Sequence, residues 1–299
     1  MGISERRIKI IHNPVAGGSK RKRLAIALRA LKKHAKKVKV SPTKYAGHGV
    51  KRADKALNRK KKKPYDIVCA AGGDGTIAEV ANGMRGSDNP LLVLPLGTAN
   101  VFAREIGLGT NMRKIAAMVE TLKVKTVYPG IINERRFIMM VGVGIDSLAV
   151  AALDSKLKRQ IGAAAYIIAA FKAVKRMQDL DLLVTVDGDE YQASQVVVTL
   201  GRLYGGPFVI SPNASLEDKN FHVILMKKKG FWAAMKYGIA LATGRLPYLK
   251  DVIITSAQHV KIDSPNSLPI QADGDLAGMV PVELSLDEHP LQVLAPTAK

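Results

Sequence analysis

An aspartate set among three glycines is the residue pattern with the clearest chemical meaning in this sequence. It reads Gly72-Gly73-Asp74-Gly75-Thr76, between an apolar run and a helical pattern. Glycines let the backbone approach phosphate groups and point amide hydrogens at them, and a helix N-terminus adds a favourable dipole. The Asp74 carboxylate is a ligand that Mg²⁺ prefers, and Thr76 can cap the helix and donate to a phosphate. A tight turn would explain the glycines alone, but the acid among them favours a phosphate and metal site.

A second acidic pattern, Asp273-Gly274-Asp275, lies near the C-terminus. On these residues alone a hairpin turn is the simpler explanation, because Asp-Gly is a frequent hairpin signal. Asp187-Gly188-Asp189 has the same composition and lies between two strand-like runs. We predict an ordinary hairpin at residues 187–189.

The elements that would position Asp74 alternate between strand and helix in the first part of the chain. The predicted strands are residues 8–11, 38–40, 65–70 and 91–94. The predicted helices are residues 21–37, about 50–58, and a helix from the glycine loop to about residue 84. This alternation is typical of a parallel sheet with helices on both faces. The glycine loop then follows the third strand directly.

After about residue 128 the pattern changes to closely spaced strands. The predicted strands are residues 137–141, 182–186, 195–200, 223–226, 252–256, 260–262 and 282–286. Two helical insertions interrupt them, at about residues 149–177 and at 231–242. Short strands separated by turn residues are typical of an antiparallel sandwich or barrel. We place a domain boundary near residues 128–132.

Charge and cysteine content limit the choice of compartment and partner. The 299 residues carry a net charge of +21, and Cys69 is the only cysteine. A single cysteine fits a reducing, cytoplasmic compartment, and no apolar run reaches the ~18–20 residues needed to span a bilayer. The positive charge attracts nucleic acid or an anionic membrane surface, or serves solubility alone. The basic tracts at 20–37 and 59–63 contain no aromatic residue for base stacking, which argues against a dedicated nucleic-acid-binding module.

The glycine loop and four further motifs resemble the diacylglycerol-kinase-like family of lipid kinases. NAD kinases share the pentapeptide, so the other motifs decide. In chain order these are Asn13-Pro14-Val15-Ala16-Gly17-Gly18, then Thr43 with Gly47-His48, then residues 94–104, which contain Gly97-Thr98-Ala99-Asn100, and finally Asp273-Gly274-Asp275. Residues 201–212 match the family's C-terminal domain as well. The resemblance extends over almost the whole chain.

The resemblance implies an ATP-dependent lipid kinase with Mg²⁺ as cofactor. Its fold would be an N-terminal doubly wound α/β nucleotide-binding domain followed by an antiparallel β-sandwich domain, with the active-site cleft between them. The implied bounds are residues 1–128 and 129–286, with residues 287–299 returning to the first domain. The positions that would bind ATP are Asn13, Thr43, Gly72, Gly73, Asp74, Gly75, Thr76, Glu79, Gly97, Thr98 and Asn100.

The resemblance also implies catalytic and metal-binding acids. Asp275 matches the carboxylate that accepts the proton of the lipid hydroxyl, with Asp273 as its alternative or metal-side partner, and Asp74 is the third catalytic position. Asp74 and Asp146 match metal-binding positions. Asp218 falls in a loop that holds a structural Mg²⁺ in bacterial relatives, and both that metal site and an ordinary turn stay open here.

Four residues depart from the family pattern. Val101 stands where many members carry an aspartate, and Ala78 replaces an asparagine before Glu79. Asp275 replaces a glutamate and is shorter by one methylene. Lys219 replaces the glycine that follows Asp218. These departures keep open a catalytically weak or degenerate kinase fold that binds lipid or nucleotide.

The expected partners are a membrane lipid substrate, diacylglycerol-like, and an anionic membrane surface. We therefore expect a cytoplasmic protein, peripheral at the inner face of the membrane, with its oligomeric state open. Residues 156–176 combine basic and apolar side chains, which fits either a membrane-contacting amphipathic helix or a core-packing helix with a solvated basic rim. An NAD kinase is the less favoured enzyme, because the sequence lacks a Thr-Pro-Thr-Gly-Ser-type stretch.

Overall fold

The computed structural model describes residues 5–14, 19–58, 63–152 and 180–296. The chain divides into two compact units, Met1–Tyr128 with Glu288–Lys299, and Pro129–Asp287. The predicted amphipathic segment at 156–176, residues 15–18 of the first motif and residues 59–62 of the basic run lie outside the described residues. No helix in the described ranges is both long and apolar enough to cross a membrane.

The first unit is built on a sheet of six described strands. They are β1 (Arg7–His12), β2 (Lys37–Pro42), β3 (Ile67–Gly72), β4 (Leu91–Pro95), β5 (Val124–Val127) and β20 (Leu291–Leu294). Their order in the sheet is β2-β1-β3-β4-β20-β5. All pairs are parallel except β20 with β5, which is antiparallel. β3 and β4 are buried along their whole length, as continuous apolar runs in parallel sheets are.

The helices of the first unit connect these strands. They are α1 (Ser19–His34), α2 (His48–Leu57), α3 (Asp74–Asn82), α4 (Val101–Glu105) and α5 (Met112–Thr121). The alternation of parallel strands and helices is the one predicted from the sequence. Each of the loops after β1 to β4 leaves the sheet at the carboxyl ends of the strands, the edge at which open α/β sheets bind their ligands.

The second unit contains two antiparallel sheets of six described strands each. The strands of the first sheet are, in order, β10 (Asp189–Ala193), β9 (Leu182–Val186), β16 (His259–Asp263), β19 (Val282–Leu286), β6 (Gly130–Ile132) and β7 (Arg135–Phe137). Those of the second are β15 (Val252–Ala257), β14 (Phe221–Met226), β11 (Gln195–Thr199), β8 (Met140–Val143), β17 (Pro269–Ala272) and β18 (Asp275–Met279). The predicted hairpin at residues 187–189 joins β9 to β10 and is confirmed.

The remaining described elements of this unit come between these strands in the order of the chain. They are α6 (Ile145–Ala151), a two-stranded hairpin of β12 (Leu203–Tyr204) and β13 (Phe208–Val209), α7 (Phe231–Ala242), and a short 3₁₀ helix, Leu246–Tyr248. The helix predicted at 231–242 is therefore confirmed. Arg136 forms an ion pair with Asp287, and both side chains are fully buried. The pair ties β7 to the end of the second unit.

One predicted strand is wrong in its extent. Residues 137–141 were expected to form a single strand, but β7 ends at Phe137 and β8 starts at Met140. The interruption is caused by a residue distant in sequence, because the backbone N–H groups of Ile138 and Met139 donate to the carboxylate of Asp273 instead of to a neighbouring strand.

Candidate active site

Two glycine-containing loops touch each other through their backbones at the carboxyl ends of β3 and β4. α3 begins at Asp74, directly after β3, with Gly73 as its N-cap. A Cβ atom placed on Gly97 would lie 2.5 Å from the Cα atom of Gly73. No side chain fits at Gly97 without moving the loops apart. The sequence therefore needs glycine here to bring the two predicted ATP-binding loops together.

The second of these loops is closed by Asn100. Asn100 is left-handed, with φ of 49°, and starts α4 as its N-cap. Its Oδ1 atom accepts a hydrogen bond from the Gly97 N–H at 2.7 Å, and its Nδ2 atom donates to the Gly97 carbonyl at 2.9 Å. The side chain thus holds the loop in shape, and Thr98 is exposed at the tip.

Asp74 lies between the starts of two helices. It opens α3, and its Oδ1 atom accepts a hydrogen bond from the backbone N–H of Phe102 in α4 at 3.2 Å. Burial raises the pKa of Asp74, and the backbone N–H groups of residues 100–102 act against that rise. Val101, which stands where the family pattern has an acid, is buried. Of the two positions at which the family pattern has an acid in these loops, Asp74 carries one and Val101 does not.

Glu79 holds the second predicted ATP loop. Its two carboxylate oxygens accept hydrogen bonds from the N–H groups of Gly47 and Gly49, each at 2.7 Å. These residues flank the start of α2, so Glu79 in α3 fixes the end of the loop between β2 and α2. We did not predict this holding contact, because the sequence does not show that residue 79 lies beside residues 47 and 49.

The first two loops are joined to the sheet by backbone hydrogen bonds. The N–H of Asn13 donates to the Ala71 carbonyl at 3.1 Å, and the N–H of Thr43 donates to the His12 carbonyl at 2.8 Å. Thr43 and Thr76 are both buried. The predicted ATP-binding residues of the first unit thus all lie at one edge of the sheet, on the last residue of β3, on the loops, or on the helices that start from them.

In the second unit, Asp273 holds a turn of the backbone. Asp273 has a φ of 50°. Its Oδ2 atom accepts from the N–H of Ile138 at 2.8 Å, and its Oδ1 atom accepts from those of Met139 at 2.8 Å and Met140 at 3.1 Å. Burial raises the pKa of Asp273 to about 6, although these N–H donors and the charge of Arg135 favour the ionised form.

Asp275 differs from Asp273 in its exposure. It begins β18 opposite Ala272, and its side chain is exposed. Asp273-Gly274-Asp275 is the hairpin between β17 and β18, so the turn expected from these residues is present. The two acids differ in their surroundings, since the Asp273 carboxylate accepts three backbone hydrogen bonds and the Asp275 side chain is exposed.

Asp146 is the centre of a half-buried polar network in the second unit. Its Oδ1 atom accepts from the Ser147 N–H at 2.7 Å, and its Oδ2 atom accepts from the Tyr204 hydroxyl and the Gln271 Nε2 atom, both at 3.1 Å. Burial raises the pKa of Asp146, and these donors oppose the rise. A Cβ atom on Gly142 would lie 2.0 Å from Oδ2, so glycine is required beside this carboxylate.

Gln271 is a residue of this site that we did not predict. Besides donating to Asp146, its Oε1 atom accepts a hydrogen bond from the Gly274 N–H at 2.9 Å. One signal was available in the sequence, because a glutamine within the apolar run of β17 needs buried polar partners. The identity of those partners could not be deduced from the sequence.

The loop around Asp218 contains a buried oxygen without a partner. The Oδ1 atom of Asn220 is buried and has no hydrogen-bond partner. Asp218 and the Lys219 side chain are exposed, and the Lys219 carbonyl accepts from Gln258 at 3.4 Å. An unsatisfied amide oxygen and the Asp218 carboxylate, two residues earlier in the chain, are both ligands of the type that Mg²⁺ prefers. The residues therefore fit the predicted structural cation site, although Lys219 adds a positive charge.

A nucleotide-bound Mg²⁺ fits the residues around Asp74. In the described ranges, no group of three or more His, Cys, Asp or Glu side chains is arranged to hold a metal by itself. Kinases commonly hold Mg²⁺ through one or two carboxylates together with nucleotide phosphates and water. A single carboxylate beside a phosphate-binding loop agrees with that kind of site.

Comparisons with known proteins give the same assignment for both units. Residues 7–129 match the family model of the diacylglycerol kinase catalytic domain, and residues 139–295 match that of the YegS C-terminal NAD kinase beta sandwich-like domain. A diacylglycerol kinase of Bacillus subtilis (strain 168) is 30% identical over 98% of each chain. This chain belongs to the diacylglycerol kinase family. A diacylglycerol kinase of Staphylococcus aureus (strain MRSA252) is likewise similar, with 31% identity over 97% of this chain and 93% of its own.

Solved structures of the diacylglycerol kinase family share the fold. A crystal structure of a diacylglycerol kinase from Bacillus anthracis aligns with a TM-score of 0.79 over 98% of each chain, at 22% identity. A second structure from that organism aligns with a TM-score of 0.81 over 99% of this chain and 97% of its own, at 20% identity. The predicted family and the predicted α/β plus antiparallel β fold are confirmed. The chain is a kinase, and its family implies ATP as co-substrate.

Proposed function

We propose that this kinase transfers the γ-phosphate of ATP to the hydroxyl group of a diacylglycerol-like membrane lipid. One observation carries the proposal. Each unit carries an acid at the start of an element, Asp74 at the start of α3 and Asp275 at the start of β18. Relatives that match nearly the whole chain are named diacylglycerol kinases, which supports diacylglycerol as the first acceptor to test.

The nucleotide is assigned to the loops of the first unit. Backbone N–H groups of residues 72–76 and the N-terminus of α3 would bind the phosphates. Thr98 and Thr43 would donate further hydrogen bonds to ATP, with Asn13 beside them. Asn100 and Glu79 act indirectly, because their side chains hold the loops through Gly97, Gly47 and Gly49. Mg²⁺ held by Asp74 would neutralise charge on the transferring phosphoryl group.

The acceptor hydroxyl is assigned to Asp275. Asp275 accepts the proton of the lipid hydroxyl while the hydroxyl oxygen attacks the γ-phosphorus. The bond between the γ-phosphorus and the bridging oxygen of ADP breaks, so the products are the lipid phosphate, ADP and one proton. Asp273 is the weaker candidate for this step, because its carboxylate already accepts three backbone hydrogen bonds. The metal roles of Asp146 and Asp218 stay predictions.

A catalytically weak kinase is the second candidate, and Val101 is the residue that favours it. Its side chain is 7% exposed and leaves the position of the family's second acid apolar. The charge of a bound metal would then be balanced by fewer carboxylates. A lipid or nucleotide-binding protein with little turnover would result.

The deciding experiment measures transfer of labelled γ-phosphate from ATP and Mg²⁺ to lipids in mixed micelles. The panel contains diacylglycerol, monoacylglycerol, phosphatidylglycerol, ceramide, a long-chain base and a polyprenol, with NAD as the soluble control. We expect label on diacylglycerol. Label on another lipid would replace the acceptor, label on NAD would overturn the lipid-kinase proposal, and ATP binding without transfer would favour the weak kinase.

Two variants test the role of Asp74 in that assay. Asp74→Asn removes the charge of the predicted Mg²⁺ ligand, and we expect transfer to fall by about 10³-fold or more. Asp88→Asn is the matched control, because Asp88 is an exposed aspartate of the same unit. Equal loss in both variants, or near-normal activity of Asp74→Asn, would contradict the assignment.

A further inference from the structure

The helix α7 exposes an apolar face to the solvent. Trp232, Met235 and Ile239 are 81%, 41% and 59% exposed, and Phe231 is 36% exposed. Their spacing of three to four residues places them on one side of the helix. A contiguous exposed patch of large apolar side chains on a soluble unit marks a contact surface.

The opposite side of α7 is anchored to the second unit. Tyr237 and Ala240 are buried. The Tyr237 hydroxyl donates to Asp251 at 2.8 Å and accepts from the Lys228 N–H at 3.0 Å. The helix also packs against β13 and against the 3₁₀ helix. These contacts fix the rotation of α7, so the apolar face is held outward.

An exposed aromatic side chain extends this face beyond the helix. Tyr248 is 78% exposed and ends the 3₁₀ helix against which α7 packs. Tryptophan and tyrosine are the side chains that favour the boundary between head groups and acyl chains, because each combines an apolar ring with a polar group. The apolar face therefore contains the aromatic residues typical of a membrane interface.

The charged residues in the segment that contains α7 are all basic. Residues 227–250 contain six basic residues and no acidic one. All six are exposed, and they are Lys227, Lys228, Lys229, Lys236, Arg245 and Lys250. The neighbouring acids are already paired, Asp251 with Lys236 at 2.6 Å and Asp181 with Lys229 at 3.0 Å. An apolar face bordered by basic residues is complementary to anionic head groups above acyl chains.

We propose that α7 lies in the interface of an anionic lipid bilayer, with Trp232, Met235 and Ile239 inserted and the basic residues at the head groups. This inference rests on the proposed function, since a lipid kinase must reach a substrate in the membrane. The helix has 12 residues and is about 18 Å long, which suits a helix lying parallel to the surface. A second copy of the chain fits less well, because a two-fold interface would bring the basic borders together.

Trp232 is the only tryptophan of the chain, so its fluorescence reports on α7 alone. The protein is mixed with vesicles of phosphatidylcholine, with or without phosphatidylglycerol, whose acyl chains are brominated in a parallel set. We expect a blue shift and quenching with the anionic brominated vesicles. Binding to anionic vesicles without any change in Trp232 emission would overturn the proposal.

Variants test whether the face supplies binding energy. Met235→Ser with Ile239→Ser keeps the reporter, and we expect affinity for anionic vesicles to fall about tenfold or more. Leu183→Ser is the matched control, because Leu183 is a 41% exposed leucine on β9 of the same unit. Unchanged affinity in the double variant would overturn the proposal. Concentration-dependent dimerisation that the double variant abolishes, without a vesicle-induced shift, would assign the face to a second copy instead.

Activity separates this inference from the proposed function. We expect the double variant to phosphorylate diacylglycerol in detergent micelles like the wild type and to lose activity on anionic vesicles. Insertion of Trp232 without phosphorylation of any lipid would contradict the proposed function and leave the membrane contact of α7 standing. Phosphorylation of diacylglycerol in vesicles by the double variant at the wild-type rate would contradict the membrane contact and leave the proposed function standing.

Discussion

Gln271 donates a hydrogen bond from its side-chain amide to the half-buried carboxylate of Asp146, with 3.1 Å between Nε2 and Oδ2. The same amide accepts the Gly274 N–H at 2.9 Å. One side chain therefore connects the half-buried Asp146 to the turn that carries Asp275. Tyr204 donates to the same oxygen of Asp146 at 3.1 Å. The two donors can be compared directly.

Gln271→Leu should lower kcat more than Tyr204→Phe does. Each variant removes one hydrogen bond to Asp146, at a cost of about 1–3 kcal/mol in unfolding free energy. Gln271→Leu also removes the acceptor of the Gly274 N–H in the turn before Asp275, and a displaced catalytic group lowers kcat by about 10- to 100-fold. Unfolding in urea and steady-state kinetics on the lipid substrate check this. Equal kcat values at equal stability would show that Gln271 is purely structural.

Asp275→Asn should lower kcat by about 10²- to 10⁴-fold, because a general base is lost. The unfolding free energy should change by less than about 0.5 kcal/mol, since Asp275 is exposed. Asp275→Glu restores the longer carboxylate of the family pattern and should stay within about tenfold of the wild type. Steady-state kinetics of the wild type and the two variants test whether Asp275 is the general base. Near-normal activity of Asp275→Asn would show that another residue accepts the proton.

Asp273 should make the folded state less stable as the pH rises. Burial raises its pKa from 3.8 to about 6 in the folded protein. Its contribution is fully present below about pH 3.8 and is lost as the pH rises through about 6, on the order of 3 kcal/mol in total. Asp273→Asn does not titrate. Urea unfolding of both proteins at acidic and neutral pH should therefore show the wild type losing stability relative to the variant. A constant difference would contradict the raised pKa.

Mg²⁺ should raise the Tm in the absence of nucleotide if the loop at Asp218 binds a cation. At about 100 times its Kd, a ligand stabilises the folded state by about 2.7 kcal/mol, which corresponds to a Tm increase of about 5 °C or more. Thermal melts with Mg²⁺ and with EDTA measure this. Asp218→Asn should abolish the increase and Asp74→Asn should keep it. Equal Tm values in both conditions would leave residues 217–220 as an ordinary turn.

The alternation of elements in the first unit could be predicted, because β3 and β4 are buried apolar runs with a helix between them. β4 was expected at residues 91–94 and is Leu91–Pro95, and β3 was expected at 65–70 and is Ile67–Gly72. The loops that follow were identified by their glycines and acids. Such local signals suffice where the chemistry of a residue and its neighbours in sequence decides the structure.

Contacts between distant residues could not be predicted. The carboxylate of Asp273 ends a strand 135 residues away by binding the Ile138 N–H, and Glu79 holds a loop 30 residues earlier in the chain. A single sequence gives the type of each partner and not the pairing. The different surroundings of Asp273 and Asp275 could not be predicted either, because two aspartates in one turn do not show which one accepts backbone hydrogen bonds and which one is exposed.

The sheet of the first unit is completed by a strand from late in the chain, β20. This strand, Leu291–Leu294, lies between β4 and β5 in the sheet that carries the predicted nucleotide loops. During synthesis from the N-terminus, the edges of β4 and β5 that pair with β20 therefore stay unpaired until residues 291–294 have left the ribosome. A chain that stops before β20 contains all the predicted ATP-binding residues and still has no completed sheet to hold them. Translation through β20 is thus a condition for completing the sheet of the first unit.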